Sequence, residues 1–132
     1  HGMEKAVIQT GYLDDHAFRQ AIAASDVCLM PFRDRIANRG RFPGKVAEYL
    51  SMGKAVVTHP VGEMRKLFED GQMGSLAEET AESFAMKTLD LLKDSERRER
   101  MGRAARHFAE TDLCWSSLAA RLETFYRALP RS

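Results

Sequence analysis

Between Arg33 and Gly53 the chain reads RDRIANRGRFPGKVAEYLSMG. Arg33, Arg35, Arg39 and Arg41 lead to Lys45, and within the loop only Asp34 opposes them. Pro43-Gly44 then turns the chain into a helix that begins Lys45-Val46-Ala47-Glu48. A helix start fronted by small, turn-forming residues presents free backbone N–H groups to an anion. The chemistry on offer is that of a phosphate or diphosphate site, with one carboxylate, Glu48, a turn into the helix. Two plainer accounts stand beside it: a solvated basic loop, and a Glu48 that merely pairs with Lys45 at i,i+3, which is worth only a few tenths of a kcal/mol.

Such a loop does chemistry only if ordered elements hold its ends. Val27-Cys28-Leu29-Met30-Pro31 precedes it and Ala55-Val56-Val57-Thr58 follows it, and both read as strands. Upstream, Ala6 to Gly11 reads as a first strand, and Asp14 or Asp15 caps a helix through Ala24. Gly53 closes the helix from Lys45 to Met52. Downstream come a helix over 63–69, a weak strand over 74–76, and helices over 80–92, 95–109 and 115–129. Trp115, Leu118, Leu122, Phe125, Tyr126 and Leu129 form a 3.6-period stripe in the last, which predicts core packing. Apolar strands alternating with helices predict an α/β fold, a Rossmann-like parallel sheet of about four strands with flanking helices and a helical C-terminal segment. In open parallel sheets ligands bind beyond the carboxyl ends of the strands, where this loop begins.

With 132 residues, 44% of them hydrophobic, the chain suits one globular domain. A net charge of +1 supplies no general basic excess, so nucleic acid is not an expected partner. No apolar run is long enough to span a bilayer. Cys28 and Cys114 lie far apart with no metal-ligand spacing; they read as buried reduced thiols, which favours the cytoplasm. No metal site is expected. His1-Gly2-Met3 reads as a tag remnant, leaving 4–132 as the domain. Arg97, Arg98, Arg100, Arg103 and Arg106, interleaved with Glu96 and Glu99, suit a solvated helix face better than peripheral contact with an anionic membrane at its cytoplasmic side. His16, His59 and His107 stand alone, and for His59, which follows a strand, a plain loop histidine is the commoner case.

The run Pro43-Gly44-Lys45-Val46-Ala47-Glu48-Tyr49-Leu50-Ser51-Met52-Gly53-Lys54-Ala55-Val56-Val57 resembles the nucleotide-sugar-binding segment of group-one, retaining glycosyltransferases of the two-domain GT-B fold. Gly11-Tyr12-Leu13, Ser25-Asp26-Val27, Asp70-Gly71 with Gly74, and Trp115 fall in that family's order. The resemblance implies that Glu48 binds the donor ribose, and that Phe42, Pro43 and Gly44, with Lys45, Arg41 and Arg39, face the donor sugar and diphosphate. By the same analogy Gly11 and Tyr12 border the nucleobase, and the place of His59 after a strand allows it to approach the donor pocket. It implies hexose transfer from a nucleotide diphosphate sugar without metal or cofactor. Family members commonly carry a second glutamate eight positions before the ribose-binding one, where this chain has Gly40. A non-catalytic nucleotide- or phosphate-binding module, or a protein-interaction module, is the alternative function.

The resemblance also implies a fragment, part of the C-terminal donor-binding domain, inactive without an N-terminal acceptor-binding domain. If the family strand order 3-2-1-4-5-6 carries over, the strands here are the third to sixth, with a gap where the first and second belong. The first strand then either moves beside the second, or exposed strand edges pair with another copy.

Overall fold

A computed structural model describes residues 2–130. Strands β1 (Cys28–Met30), β2 (Val56–Thr58) and β3 (Gly74–Leu76) form a parallel sheet in that order. Cys28 lies opposite Val56, which lies opposite Gly74. Only glycine fits at 74, because a β carbon there would meet the Val56 carbonyl oxygen at 2.1 Å.

The connections between parallel strands must be crossovers, and helices supply them. On one face α1 (Asp15–Ala24), α3 (Gly44–Ser51) and α4 (Glu63–Phe68) bury Ile22, Val46, Leu50, Met64 and Phe68 against Cys28 and Val56. On the other, α5 (Ala81–Lys93) packs Leu91 and Phe84 against Ala55 and Val57. The next helix, α6 (Ser95–Thr111), gives Ala105 to the first cluster and Met101 to the second. Each large side chain removed from water contributes about 1.5–3 kcal/mol. Short polar side chains start the helices: Asp14 accepts from the Ala17 amide, Thr80 from Ser83 and Asp94 from Arg97. At the α3–α6 crossing a β carbon on Gly102 would lie 2.3 Å from the Gly53 carbonyl oxygen, so two glycines let these backbones touch. Arg106 donates to the Ser51 carbonyl across the same crossing.

Several expectations are corrected. The sheet has three strands among the described residues, and the expected strand over Ala6 to Gly11 is not among them. Glu4–Ala6 forms a 3-10 turn, after which Val7 is extended (φ −112°, ψ 123°) but unpaired. Extended backbone becomes a strand only beside a partner, and residues 7–10 have none here, so Val7 and Ile8 stay 61% and 87% exposed. Ile36–Arg39 forms a one-turn helix, α2, inside the expected loop. The last helix, α7 (Trp115–Ala128), buries no residue, and Trp115 is 87% exposed; its apolar stripe covers none of the described core. Cys28 is buried as expected, whereas Cys114 is only partly covered. His1 of the expected tag remnant lies outside the described residues.

Candidate functional site

The basic stretch leaves the carboxyl end of β1, as its position in the sequence implies. Phe32 is the first residue beyond that end to be fully covered, at 3% exposure. The His59 ring, beyond the carboxyl end of β2, holds it: Nδ1 lies 3.0 Å from the Phe32 amide nitrogen and 2.7 Å from its carbonyl oxygen. One residue further on, the Asp34 amide donates to Glu79 Oε1 at 3.1 Å, which ties the loop to the segment after β3. Gly62 sets a third restraint. It adopts φ +56°, and a β carbon there would lie 2.6 Å from the Arg39 carbonyl oxygen, so the loop after β2 packs directly on α2.

These restraints divide the arginines. Arg39 forms a bidentate pair with Asp34, Nε to Oδ1 at 2.6 Å and Nη2 to Oδ2 at 2.9 Å. The hydrogen bond from Arg39 holds the Asp34 carboxyl below its usual range, and its partner raises Arg39 in turn. Arg39 is therefore an internal counter-ion. Arg41 instead lies over the Phe32 ring, 5.1 Å from its centroid, in a cation–π contact that leaves its N–H groups without an acid among the described residues.

Pro43 is the N-cap of α3 and no side chain caps the helix. The Val46 amide bonds back to the Pro43 carbonyl at 3.0 Å, and the amides of Gly44 and Lys45 at the helix start have no such partner. A β carbon at Gly44 would meet nothing within 4 Å, so space lies in front of these donors. Phe42 is half-exposed and Lys45 exposed. The expected i,i+3 pair is not made: neither the Lys45 ammonium nor the Glu48 carboxylate has an ion-pair partner among the described residues. Glu48 instead projects beside the first turns of α1, in a shallow depression of about 260 Å³ that it lines with Asp15, Phe18 and Arg19. Gly11 (φ +64°) and the fully solvated Tyr12 lie in the short segment that leads through Leu13 and the cap Asp14 into α1. At Gly40 a β carbon would meet only the Ile36 carbonyl oxygen, at 4.0 Å, so the fold does not require glycine there.

Arg41, Phe42, Pro43, Gly44, Lys45 and Glu48 thus lie in sequence order on α3 and its approach, with Arg41 over Phe32 and Glu48 beside α1, and Arg39 is set aside by its pair with Asp34. Sequence reasoning named His59 but missed the hold it has on Phe32, and missed Glu79 on Asp34, because these contacts join residues 27 and 45 positions apart along the chain. No group of three or more His, Cys, Asp or Glu able to hold a metal occurs among the described residues. The second basic run is committed locally. Arg98 donates to the Leu91 and Leu92 carbonyls, Arg97 approaches Ser75, and Arg100, Arg103 and Arg106 pair with Glu96, Glu99 and Glu110. No helix is long and apolar enough to cross a membrane.

A parallel sheet with helices on both faces and a basic loop beyond the carboxyl end of a strand defines an α/β, Rossmann-like domain. The family described as Glycosyl transferases group 1 matches residues 1–94, and the chain belongs to that family. Over 81 residues it is 31% identical to spore coat protein SA of Bacillus subtilis (strain 168), a match covering 60% of this chain and 22% of that protein. Its fold is similar to that of a sucrose-phosphate synthase (tll1590) from Thermosynechococcus elongatus, with a TM-score of 0.81 at 20% identity over 95% of this chain and 30% of that one. The chain thus spans less than a third of the length of either relative.

Proposed function

We propose that this domain binds the donor in a glycosyltransferase that moves a hexose, with retention, from a nucleotide diphosphate sugar to an acceptor held by other parts of the protein. The observation that carries the reading is the unpaired Glu48 carboxylate one turn behind the uncapped start of α3. A carboxylate accepts two hydrogen bonds from a vicinal diol, and ribose presents one. The free amides of Gly44 and Lys45, the Lys45 ammonium and the Arg41 guanidinium supply positive potential where a diphosphate would lie. Their chemical contribution is to stabilise the negative charge that grows on the departing nucleoside diphosphate as the glycosidic bond breaks, with no side-chain nucleophile required of this domain. Gly11 and Tyr12, ahead of α1 on the side that Glu48 faces, border the base.

Calorimetric titration with UDP, GDP and their hexose conjugates tests this. Binding that Glu48→Ala abolishes, and that the 2′,3′-dideoxy nucleotide fails to reproduce, is the expected result. Binding of nucleotide that is indifferent to Glu48→Ala would overturn the ribose assignment. In the same titration the isolated chain is expected to transfer no sugar.

A further inference from the structure

The backbone ladder between β1 and β2 stops one step short of Phe32, and a side chain takes its place. In a parallel pair every second residue turns its amide to the same neighbour. The Cys28 amide bonds the Ala55 carbonyl, and Cys28 lies opposite Val56, so Met30 and then Phe32 are next in line to face β2. That register would give the Phe32 amide the His59 carbonyl, but this carbonyl is turned into the following loop, where it accepts from the Val61 amide at 2.8 Å. The His59 ring fills the vacated position. Its Nδ1 lies 3.0 Å from the Phe32 amide nitrogen and 2.7 Å from the Phe32 carbonyl oxygen. A neutral imidazole nitrogen accepts from the first or donates to the second, according to its tautomer. Nε2 is buried without a hydrogen-bond partner among the described residues, so the polar hold runs through Nδ1 alone. Phe84 of α5 packs against the ring, with centroids 4.9 Å apart, and fixes its plane.

We propose that His59 is a positioning residue for Arg41. By pinning the Phe32 backbone it fixes the aromatic face that the Arg41 guanidinium covers, 5.1 Å from the ring centroid. Phe32 is buried and Arg41 has no acid partner among the described residues, so this ring is what orders Arg41, two residues ahead of the Pro43 cap of α3. The inference rests on the reading of Arg41 as a contact for the donor diphosphate, and it makes His59 the reason that the contact is formed in advance. A guanidinium already held on a ring loses fewer rotamers when an anion binds.

Two readouts test this, one of them independent of any ligand. The Phe32 ring current displaces the resonances of the Arg41 side chain lying over it, and NMR of the labelled chain reads that displacement. His59→Leu and His59→Gln are expected to abolish it, and His59→Asn, whose amide sits where Nδ1 does, to retain it. Inorganic pyrophosphate is the second probe. By calorimetry His59→Leu is expected to weaken its binding about three- to fivefold, and His59→Asn by less than about twofold. Phe32→Leu keeps the backbone hold and an apolar side chain while removing the ring, so it separates loss of the ring from loss of the fold, and it should weaken binding as His59→Leu does. In an Arg41→Ala background neither substitution should weaken binding further. An Arg41 displacement that survives His59→Leu, or a loss of affinity equally large in the Arg41→Ala background, would overturn the positioning role and leave the donor-site reading standing. Failure of the unsubstituted chain to bind either pyrophosphate or UDP would overturn the diphosphate reading, and the Arg41 resonances then decide on their own whether His59 holds Arg41.

Discussion

Asp34 and Arg39 face one another across the turn of α2, with two hydrogen bonds of 2.6 and 2.9 Å holding guanidinium to carboxylate. The pair commits Arg39 to an internal counter-ion and leaves Arg33, Arg35, Arg41 and Lys45 as the exposed cations of the stretch. Two arginines that look equivalent in the sequence therefore differ in their availability to a ligand.

Substituting each arginine separately tests that division. Arg41→Ala is expected to weaken binding of a nucleoside diphosphate by about tenfold, the loss of one charge-assisted contact, and Arg39→Ala by less than about threefold. Calorimetry of the two variants side by side measures the difference.

The same pair carries a pH signature. The Asp34 carboxyl is depressed by its hydrogen bond to Arg39, so its contribution to stability is present above the unfolded aspartate value of about 3.9 and is lost as pH falls through the lower folded value. Carbon-detected NMR titration should find Asp34 still ionised below about pH 3.9, and Arg39→Gln should return it toward that value.

Two glycines near the site should respond oppositely to substitution. Gly62→Ala forces a β carbon to within 2.6 Å of the Arg39 carbonyl at a positive φ, and is expected to cost about 1–3 kcal/mol and displace the basic loop. Gly40→Glu meets no atom closer than 4.0 Å at its β carbon and should leave the denaturation midpoint nearly unchanged. Urea denaturation of both variants checks this.

Cys114 and Cys28 should separate cleanly in their reactivity. Hydrogen bonds with Ser116 and Ser117, at 3.2 and 3.3 Å, lower Cys114 to about 7, whereas burial raises Cys28. The depressed thiol contributes stability that is fully present above its unfolded value and is lost as pH falls through about 7. Alkylation with iodoacetamide is expected at Cys114 alone, with a midpoint near that pH, and Ser116→Ala should move the midpoint upward.

Arg98 is expected to matter for stability where its neighbours do not. Its Nη1 donates to the last carbonyls of α5, Leu91 and Leu92, at 2.7 and 2.6 Å, and joins α5 to α6. Arg98→Met should cost about 1.5–3 kcal/mol, and Arg100→Met or Arg103→Met, each losing only an exposed i,i+4 pair, under about 0.5 kcal/mol. Thermal denaturation of the three variants distinguishes these outcomes.

Local chemistry accounts for what the sequence by itself determined. Pro43-Gly44 ahead of a periodic apolar segment marks the start of α3, and Asp14 marks that of α1, because capping and helical periodicity are settled within a few residues. Continuous apolar runs at Val27–Met30 and Ala55–Thr58 likewise announce strands of a parallel sheet, the second of them buried on both faces. The position of Glu48 one turn into α3 follows from the same arithmetic. What only the tertiary structure decided are properties of pairs distant along the chain. Whether Val7–Thr10 is a strand depends on a neighbouring ladder, whether the α7 stripe is core depends on what lies opposite it, and whether His59 is a plain loop histidine depends on Phe32 and Phe84 closing around it. Arg39 and Arg41 are told apart for a similar reason: their spacing shows that both are basic, but a guanidinium is committed by the atoms that reach it, and those are placed by the fold around the loop.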